Sequence, residues 1–540
     1  MREIITLQLG QQSNYLGTHF WNTQESYFTY GADEESPVDH DVHFRPGIGA
    51  NGTETFTPRT VIYDLKGGFG SLRKINALYE IDGDPSSSSL WNGQTVVQRQ
   101  PPIQPSEYQE NLDSGLTPPE LTTSSVRYWS DFNRVFFHPK SIIQLNEYEL
   151  NSTVMPFEKW HMGEELFSSL DKEHDIVDRD LRPFAEEADQ MQGLQIMTGI
   201  DDAWGGFAAK YIERLRDEYG KIPIWVWGVQ EPTGGLPREK RLLKLTNKAR
   251  SLAELNSQAS LVVPLALPRS LPSNLQLDAS SPWNVAALLS AALESTTLYT
   301  RLKTTDRANS SSLGNIADLL NVFGKQVIAN LEMSFVEPPK PAQNGTNGAS
   351  HALNGRAELF SDVGHNAYAE ASDNLSESGS QKGTVSLDID LSSPEELDLN
   401  SGGRRRHRKR HVFSQFLTYR GPENPEITGE VEPDSRGQGG YIQRRPKVHN
   451  YHSAVDFPII DSYPKILRDS RGSPLKDHTA VRTALTIDSS VMAKVRGLRS
   501  TVIRYIGVED RETIGNELAE IAEGYKEGWS SGSDDDDDDD

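Results

Sequence analysis

Gly10, Gln11 and Asn14 are the residues whose spacing first suggests chemistry. Ile5, Leu7 and Leu9 alternate with Thr6 and Gln8, the period of a strand with one buried face. Gly10 stops that strand, and a helix is predicted to begin near Asn14, with Leu16 and Phe20 on one side. A glycine turn leading into a helix presents free backbone N–H groups, which is where a phosphate could sit. An ordinary strand–helix turn has the same pattern. Other constellations are poorer. His161 and His174 stand near acids without metal-ligand spacing and read as surface positions, and His138, before a proline, reads as a structural residue at a strand or turn boundary. No Gly-x-Ser-x-Gly, Walker or kinase pattern occurs. There is no cysteine, which removes disulfides, thiolate zinc sites and thiol catalysis and fits a reducing compartment.

The elements that must position these residues alternate strand and helix. Thr60–Leu65 reads as a strand, followed by Gly67–Gly68 and a helix carrying Leu72, Ile75 and Tyr79. Asp178–Met191 reads as a helix, Leu194–Met197 as a short strand, and Phe207, Tyr211 and Leu215 as the stripe of a helix ending near Gly220. Ile222–Val229 reads as a strand buried on both faces, as in parallel sheets. A further helix opens at Pro282, and a last one carries Ile514, Leu518, Ile521 and Tyr525. The pattern predicts an α/β fold with a mostly parallel sheet flanked by helices, long disordered insertions and an acidic tail. The expected segments are 1–80, a disordered Pro/Ser-rich loop over 81–125, a domain over 126–335, a disordered insertion over 336–410, a partly ordered segment over 411–528 and an acidic tail over 529–540.

At 540 residues the chain has room for two to four cores. Its net charge of −24 argues against nucleic acid or anionic lipid as a partner for the whole surface. The exception is the basic run Arg404–Arg410, a nuclear-import signal, a phosphate or lipid patch, or a solvated stretch of loop. The tail Asp534–Asp540 reads as a solubilising end or a lure for basic partners. No apolar run reaches the roughly 20 residues of a membrane span. With a fold starting at residue 2 and no presequence pattern, no cleaved targeting peptide is expected.

The spelling of these segments carries a resemblance. MREIITLQLGQQSNYLGTHFW resembles the N-terminus of the tubulins and, more closely, that of their divergent relatives, the Misato family. Pro58–Gly68, PRTVIYDLKGG, is similar to the tubulin PRAVLVDLEPG; Ala188–Met197, ADQMQGLQIM, to ADQCTGLQGF; and Tyr211–Ile222, YIERLRDEYGKI, to LISKIREEYPDRI. The YWSDF and HPKSI block and the IPIWVWG strand favour Misato. The resemblance covers roughly 1–80 and 126–335, with short Misato-like pieces beyond, such as YHSAVDFPIIDSYP. It implies a tubulin-like fold and a role in mitochondrial distribution and inheritance of mitochondrial DNA.

The departures bear on chemistry. Between the matched flanks, the tubulin phosphate loop GGGTGSG is replaced by Ile200-Asp201-Asp202-Ala203-Trp204-Gly205-Gly206. Each Asp–phosphate pair at about 5 Å would cost roughly 3 kcal/mol at an effective dielectric near 20. Gln12 and Ser13 replace the family's Cys and Gly, and Lys66 stands where tubulins carry an acid near the metal. Leu319–Ile328 supplies no acid at the family's hydrolytic position, and Asp318 is out of frame. A vestigial nucleotide site would consist of Gly10, Gln11, Asn14, Gly205 and Gly206. No catalytic residue, metal ligand or cofactor is expected. The expectation is a non-catalytic interaction protein of the mitochondrion whose partners are cytoskeletal or mitochondrial-surface proteins, without direct nucleic-acid binding. The alternative is a GTP-binding, self-assembling protein that positions organelles.

Overall fold

The computed structural model describes residues 3–29, 35–74, 76, 78, 103–268, 270–303, 311–336, 384–392, 410–423, 446–469, 471–505 and 507–526. Strand β1 (Ile4–Leu9) and helix α1 (Gln11–Glu25) come first, followed by a hairpin of β2 (Phe44–Ile48) and β3 (Glu54–Pro58). Then come β4 (Thr60–Lys66), α2 (Glu107–Asp113), β5 (Ile142–Glu149), α3 (Trp160–His174), α4 (Arg182–Glu186), β6 (Gly193–Gly199), α5 (Ala203–Glu218), β7 (Ile224–Val229), α6 (Arg238–Gln258) and β8 (Leu261–Leu265). These strands form one parallel sheet in the order β5-β4-β1-β6-β7-β8. The chain leaves β1 toward β4 on one side and returns to β6 on the other. That places a topological switch point between β1 and β6, and in open parallel sheets the carboxyl ends at such a point form a crevice.

Long apolar α7 (Pro282–Thr297) lies between this sheet and a second one. After it come α8 (Leu313–Leu320), β9 (Asn330–Val336), β10 (Ile389–Asp390), β11 (Val412–Arg420), β12 (Lys447–Ser453), β13 (Phe457–Ile459), β14 (Asp477–Asp488), α9 (Ser490–Val502) and α10 (Val508–Gly524). The second sheet runs β10-β9-β14-β11-β12 and is antiparallel except for β11 with β12. The boundary read at 335 thus falls inside β9. The edges meet where Val262 of β8 bridges Ile328 and Ala266 N donates to Leu391 O at 2.8 Å.

One buried charge group ties α1, α7 and β11 together. Glu294 accepts from Arg301 (2.6 Å), Arg420, Tyr27 (3.0 Å) and Gln24 (3.2 Å), and the Arg420 guanidinium also donates to Tyr27 Oη at 2.7 Å. Burial alone would raise the Glu294 pKa, yet Arg420 and Arg301 hold it below the usual carboxylate range.

Several local expectations are corrected. β1 is buried on both faces: Gln8 joins a polar network inside the core and Thr6 is fully buried as well. No helix follows Gly68 as far as Leu72, since Gly67 and Gly70 adopt positive φ and turn the chain; Ile75 and Tyr79 lie outside the described residues. The stretch 81–125 contains α2, capped by the Ser106 hydroxyl. The helix expected over Asp178–Met191 is a π turn (Val177–Leu181) followed by the short α4. It stops early because the Glu3 carboxylate takes the N–H groups of Asp189 (3.3 Å) and Gln190 (2.9 Å), drawing the chain into β6. Within 336–410, β10 and Arg410 are ordered parts of the second sheet. Among the described residues no helix is long and apolar enough to cross a membrane.

Candidate functional site at two strand–helix turns

Gly10 joins β1 to α1 with φ 86° and ψ 169°, a region open essentially to glycine alone. Helix α1 begins at Gln11, earlier than expected, and no side chain caps it. The indole of Trp204 lies against this turn: a Cβ on Gly10 would stand 2.4 Å from Trp204 Nε1. Trp204 is only 6% exposed and packs edge-on to Phe157 (5.3 Å) and Phe207 (5.6 Å). An indole therefore occupies the switch-point crevice beside the first turns of α1.

The second turn, Gly199–Asp202, leads from β6 into α5. Asp202 caps that helix by accepting from Trp204 N at 2.9 Å. Asp201 is buried and accepts from Lys244 Nζ and Glu231 N, both at 3.1 Å, while Lys244 also meets Glu231 at 2.7 Å. The Gln12 amide reaches the same Glu231. Burial, reinforced by Asp201, pushes the Asp202 pKa up to about 7. Burial also raises Asp201 against the pull of Lys244.

Gly205 and Gly206 lie inside α5 and face other helices. A Cβ on Gly205 would meet Ser251 Oγ of α6 at 2.1 Å, and one on Gly206 would meet Trp160 O of α3 at 2.0 Å. Gly163 of α3 answers them, with Ala203 O 1.7 Å from its would-be Cβ. In this fold, the space these glycines leave is taken by helix backbone and Ser251.

Asn14 belongs to a buried relay. Trp21 Nε1 donates to Gln8 Oε1 (2.7 Å), Gln8 Nε2 to Asn14 Oδ1 (3.3 Å), and Asn14 Nδ2 to Asp64 Oδ2 (2.8 Å). Asp64 Oδ1 accepts from Leu65 N at 2.8 Å. An indole N–H can only donate, so it fixes the direction of both amides and requires an acceptor at the far end. Gly17 and Gly68 make room, since a Cβ at either would lie 2.3 Å from Gln8 and Asp64 respectively. Asn14 is thus committed inward, whereas Gln11 keeps a buried Oε1 without a hydrogen-bond partner among the described residues.

Burial lifts the Asp64 pKa to about 7, against hydrogen bonds from Asn14 and Leu65 that favour the charged form. Between about pH 4 and 7 the folded state therefore retains a proton that the unfolded chain has released. The stability that Asp64 contributes is expected to fall as pH rises through this window and to level off above it, by up to about 4 kcal/mol, whereas His19 and His43, kept neutral by burial, contribute with the opposite sign. Asp202 adds a contribution parallel to that of Asp64. Denaturant titrations of the parent chain and of Asp64→Asn from pH 4 to 8 check this as the difference between the two: the parent's stability relative to the variant is expected to fall as pH rises, and a difference that is flat or rises would contradict it.

The other sequence candidates lie elsewhere. Lys66 is exposed at the end of β4. Asp318 is exposed on α8, whose Leu313 packs on Gly193 at the opposite end of the sheet from Gly10. His138 caps a short helical turn by accepting from Lys140 N at 3.2 Å, while His161 and His174 are exposed. Of the basic run, Arg410 pairs with Asp488 at 2.7 Å and with Glu332; 404–409 and 534–540 lie outside the described residues. Sequence reasoning missed Gln8, Trp21, Asp64, Lys244 and Glu231. For Gln8 and Asp64 the available signal was an amide and a carboxyl side chain inside otherwise largely apolar strands, IITLQL and TVIYDL.

Comparison with known proteins agrees with this architecture. A Misato segment II tubulin-like domain matches residues 2–114, and a tubulin domain matches residues 118–302. Protein dml-1 of Neurospora crassa is 54% identical and protein DML1 of Gibberella zeae 47% identical, each over 99% of both chains. Protein dml1 of Schizosaccharomyces pombe is 36% identical over 56% of this chain and 66% of its own. With a parallel tubulin-like sheet and these full-length relatives, the chain belongs to the tubulin-like Misato/DML1 family.

Proposed function

We propose that this chain is a non-catalytic, tubulin-derived interaction protein that takes part in the distribution of mitochondria and the inheritance of mitochondrial DNA. The observation that carries the non-catalytic part is the Trp204 indole against Gly10, in the crevice where a nucleotide phosphate would have to approach. At the same place the Lys244 ammonium is already matched by Asp201 and Glu231, Asp202 caps α5, and Asn14 is engaged by Gln8 and Asp64. The mitochondrial part rests on the family resemblance, and the partners would be cytoskeletal or mitochondrial-surface proteins.

Equilibrium binding of labelled GTP to the purified chain, with and without Mg²⁺, tests the first part. No saturable binding is expected up to millimolar nucleotide. Micromolar binding that is lost on substituting Gln11 and Asn14 would instead favour a GTP-binding, self-assembling protein. Imaging and fractionation of the tagged chain test the second part, and an exclusively nuclear or secreted protein would overturn it.

A further inference from the structure

The second sheet carries a cleft of roughly 110 Å³ between β11, β12 and the facing part of β14. Thr483 and Thr418 point toward α7, where Thr483 meets Thr296 at 3.0 Å. Strand alternation therefore puts their neighbours Arg482 and Tyr419 on the opposite face, with His452 beside Tyr419 in register. The Tyr419 and His452 rings stack at 5.4 Å and 16°, forming one wall, and the exposed Asn450 amide stands on the same face.

Arg482 lines the same cleft. It is half-buried, yet its guanidinium makes no ion pair or hydrogen bond among the described residues. Arg301 and Arg420, by contrast, face Glu294, and Arg410 faces Glu332 and Asp488, while the buried Arg59 donates to the Asp41 carbonyl. A guanidinium removed from water without a counter-charge lowers stability. Its planar fork fits a carboxylate or a phosphate, and a space of this size takes a group of a few heavy atoms.

We propose that this cleft binds an oxyanion, the carboxylate or phosphate group of a ligand, through the Arg482 guanidinium against the Tyr419–His452 stack. Its two sources separate experimentally. The full-length chain, ¹⁵N-labelled at arginine side chains, is titrated at constant ionic strength with inorganic phosphate and, in a second arm, with a capped pentaglutamate peptide. The Arg482 Nε–H signal, assigned by its absence in Arg482→Gln, is expected to shift saturably with at least one probe, and that probe is expected to raise Tm. Saturation by phosphate alone assigns a phosphate ligand, and saturation by the peptide assigns a carboxylate. Arg482→Gln is expected to weaken binding about tenfold or more and to raise the Tm of the unliganded protein. Arg482→Lys, which keeps the charge without the fork, is expected to bind more weakly than the parent chain. Saturation by neither probe, undiminished binding in Arg482→Gln, or a lower unliganded Tm in that variant would overturn the proposal.

Discussion

Replacing Glu294 with glutamine is expected to destabilise the folded chain by about 3–5 kcal/mol. The substitution is nearly isosteric, so the loss is electrostatic. In the parent protein a single carboxylate, fully buried, faces two guanidiniums, those of Arg301 and Arg420. Removing its charge leaves two like charges in a low-dielectric core, and neither can reach water. Deleting one of them as well should recover much of the loss. Arg301→Met is the better choice, because Arg301 lies over the Phe20 ring and a thioether can pack there, whereas Arg420 also serves the carbonyls of Val455 and Asp456. The double variant Glu294→Gln/Arg301→Met is therefore expected to be more stable than Glu294→Gln alone. Urea unfolding followed by tryptophan fluorescence reads this directly. The effect should persist at high salt, because screening acts on exposed pairs far more than on buried ones. An unchanged midpoint for Glu294→Gln, or a penalty erased by salt, would refute the buried triad as a joint between the two sheets.

The second large effect concerns Trp204. Trp204→Ala removes a buried indole and is expected to cost about 3–5 kcal/mol. Its coupling to Gly10 is the more specific prediction. Gly10→Ala alone combines an unfavourable backbone region with a Cβ driven into the indole at 2.4 Å. In a Trp204→Ala background only the backbone strain remains, about 1–3 kcal/mol. The two substitutions should therefore cost less together than the sum of their separate effects, and additivity would place the indole elsewhere. Opening the crevice in this way is not expected to create phosphate binding, since Asp201 and Asp202 stay in place.

Much of the scaffold was legible in the sequence. TVIYDL read as a strand, and IPIWVWG as one buried on both faces because both faces of a parallel sheet are covered, a pattern that needs no knowledge of the partner helices. The Pro282 helix was legible from its proline and its apolar run. The mostly antiparallel second sheet was not, since its strands are separated by long polar stretches and gain their meaning only from pairing. Gly205 and Gly206 show the limit at the site. A sequence shows that a side chain is missing, and it cannot show whether a ligand or a neighbouring helix uses the space. Here Ser251 and Trp160 use it. Likewise Asn14 was recognisable as a polar residue at a helix start, but its direction depends on Asp64, fifty residues away.

That relay has a consequence for how the chain can evolve. Trp21, Gln8, Asn14 and Asp64 form a sentence that starts from a group able only to donate and ends on a carboxyl oxygen that accepts. Losing either end, the indole donor or the carboxyl acceptor, leaves an amide group in the core without its partner. Among descendants of this chain, the four positions should travel as a block, inherited together or exchanged together, while the surfaces around them drift.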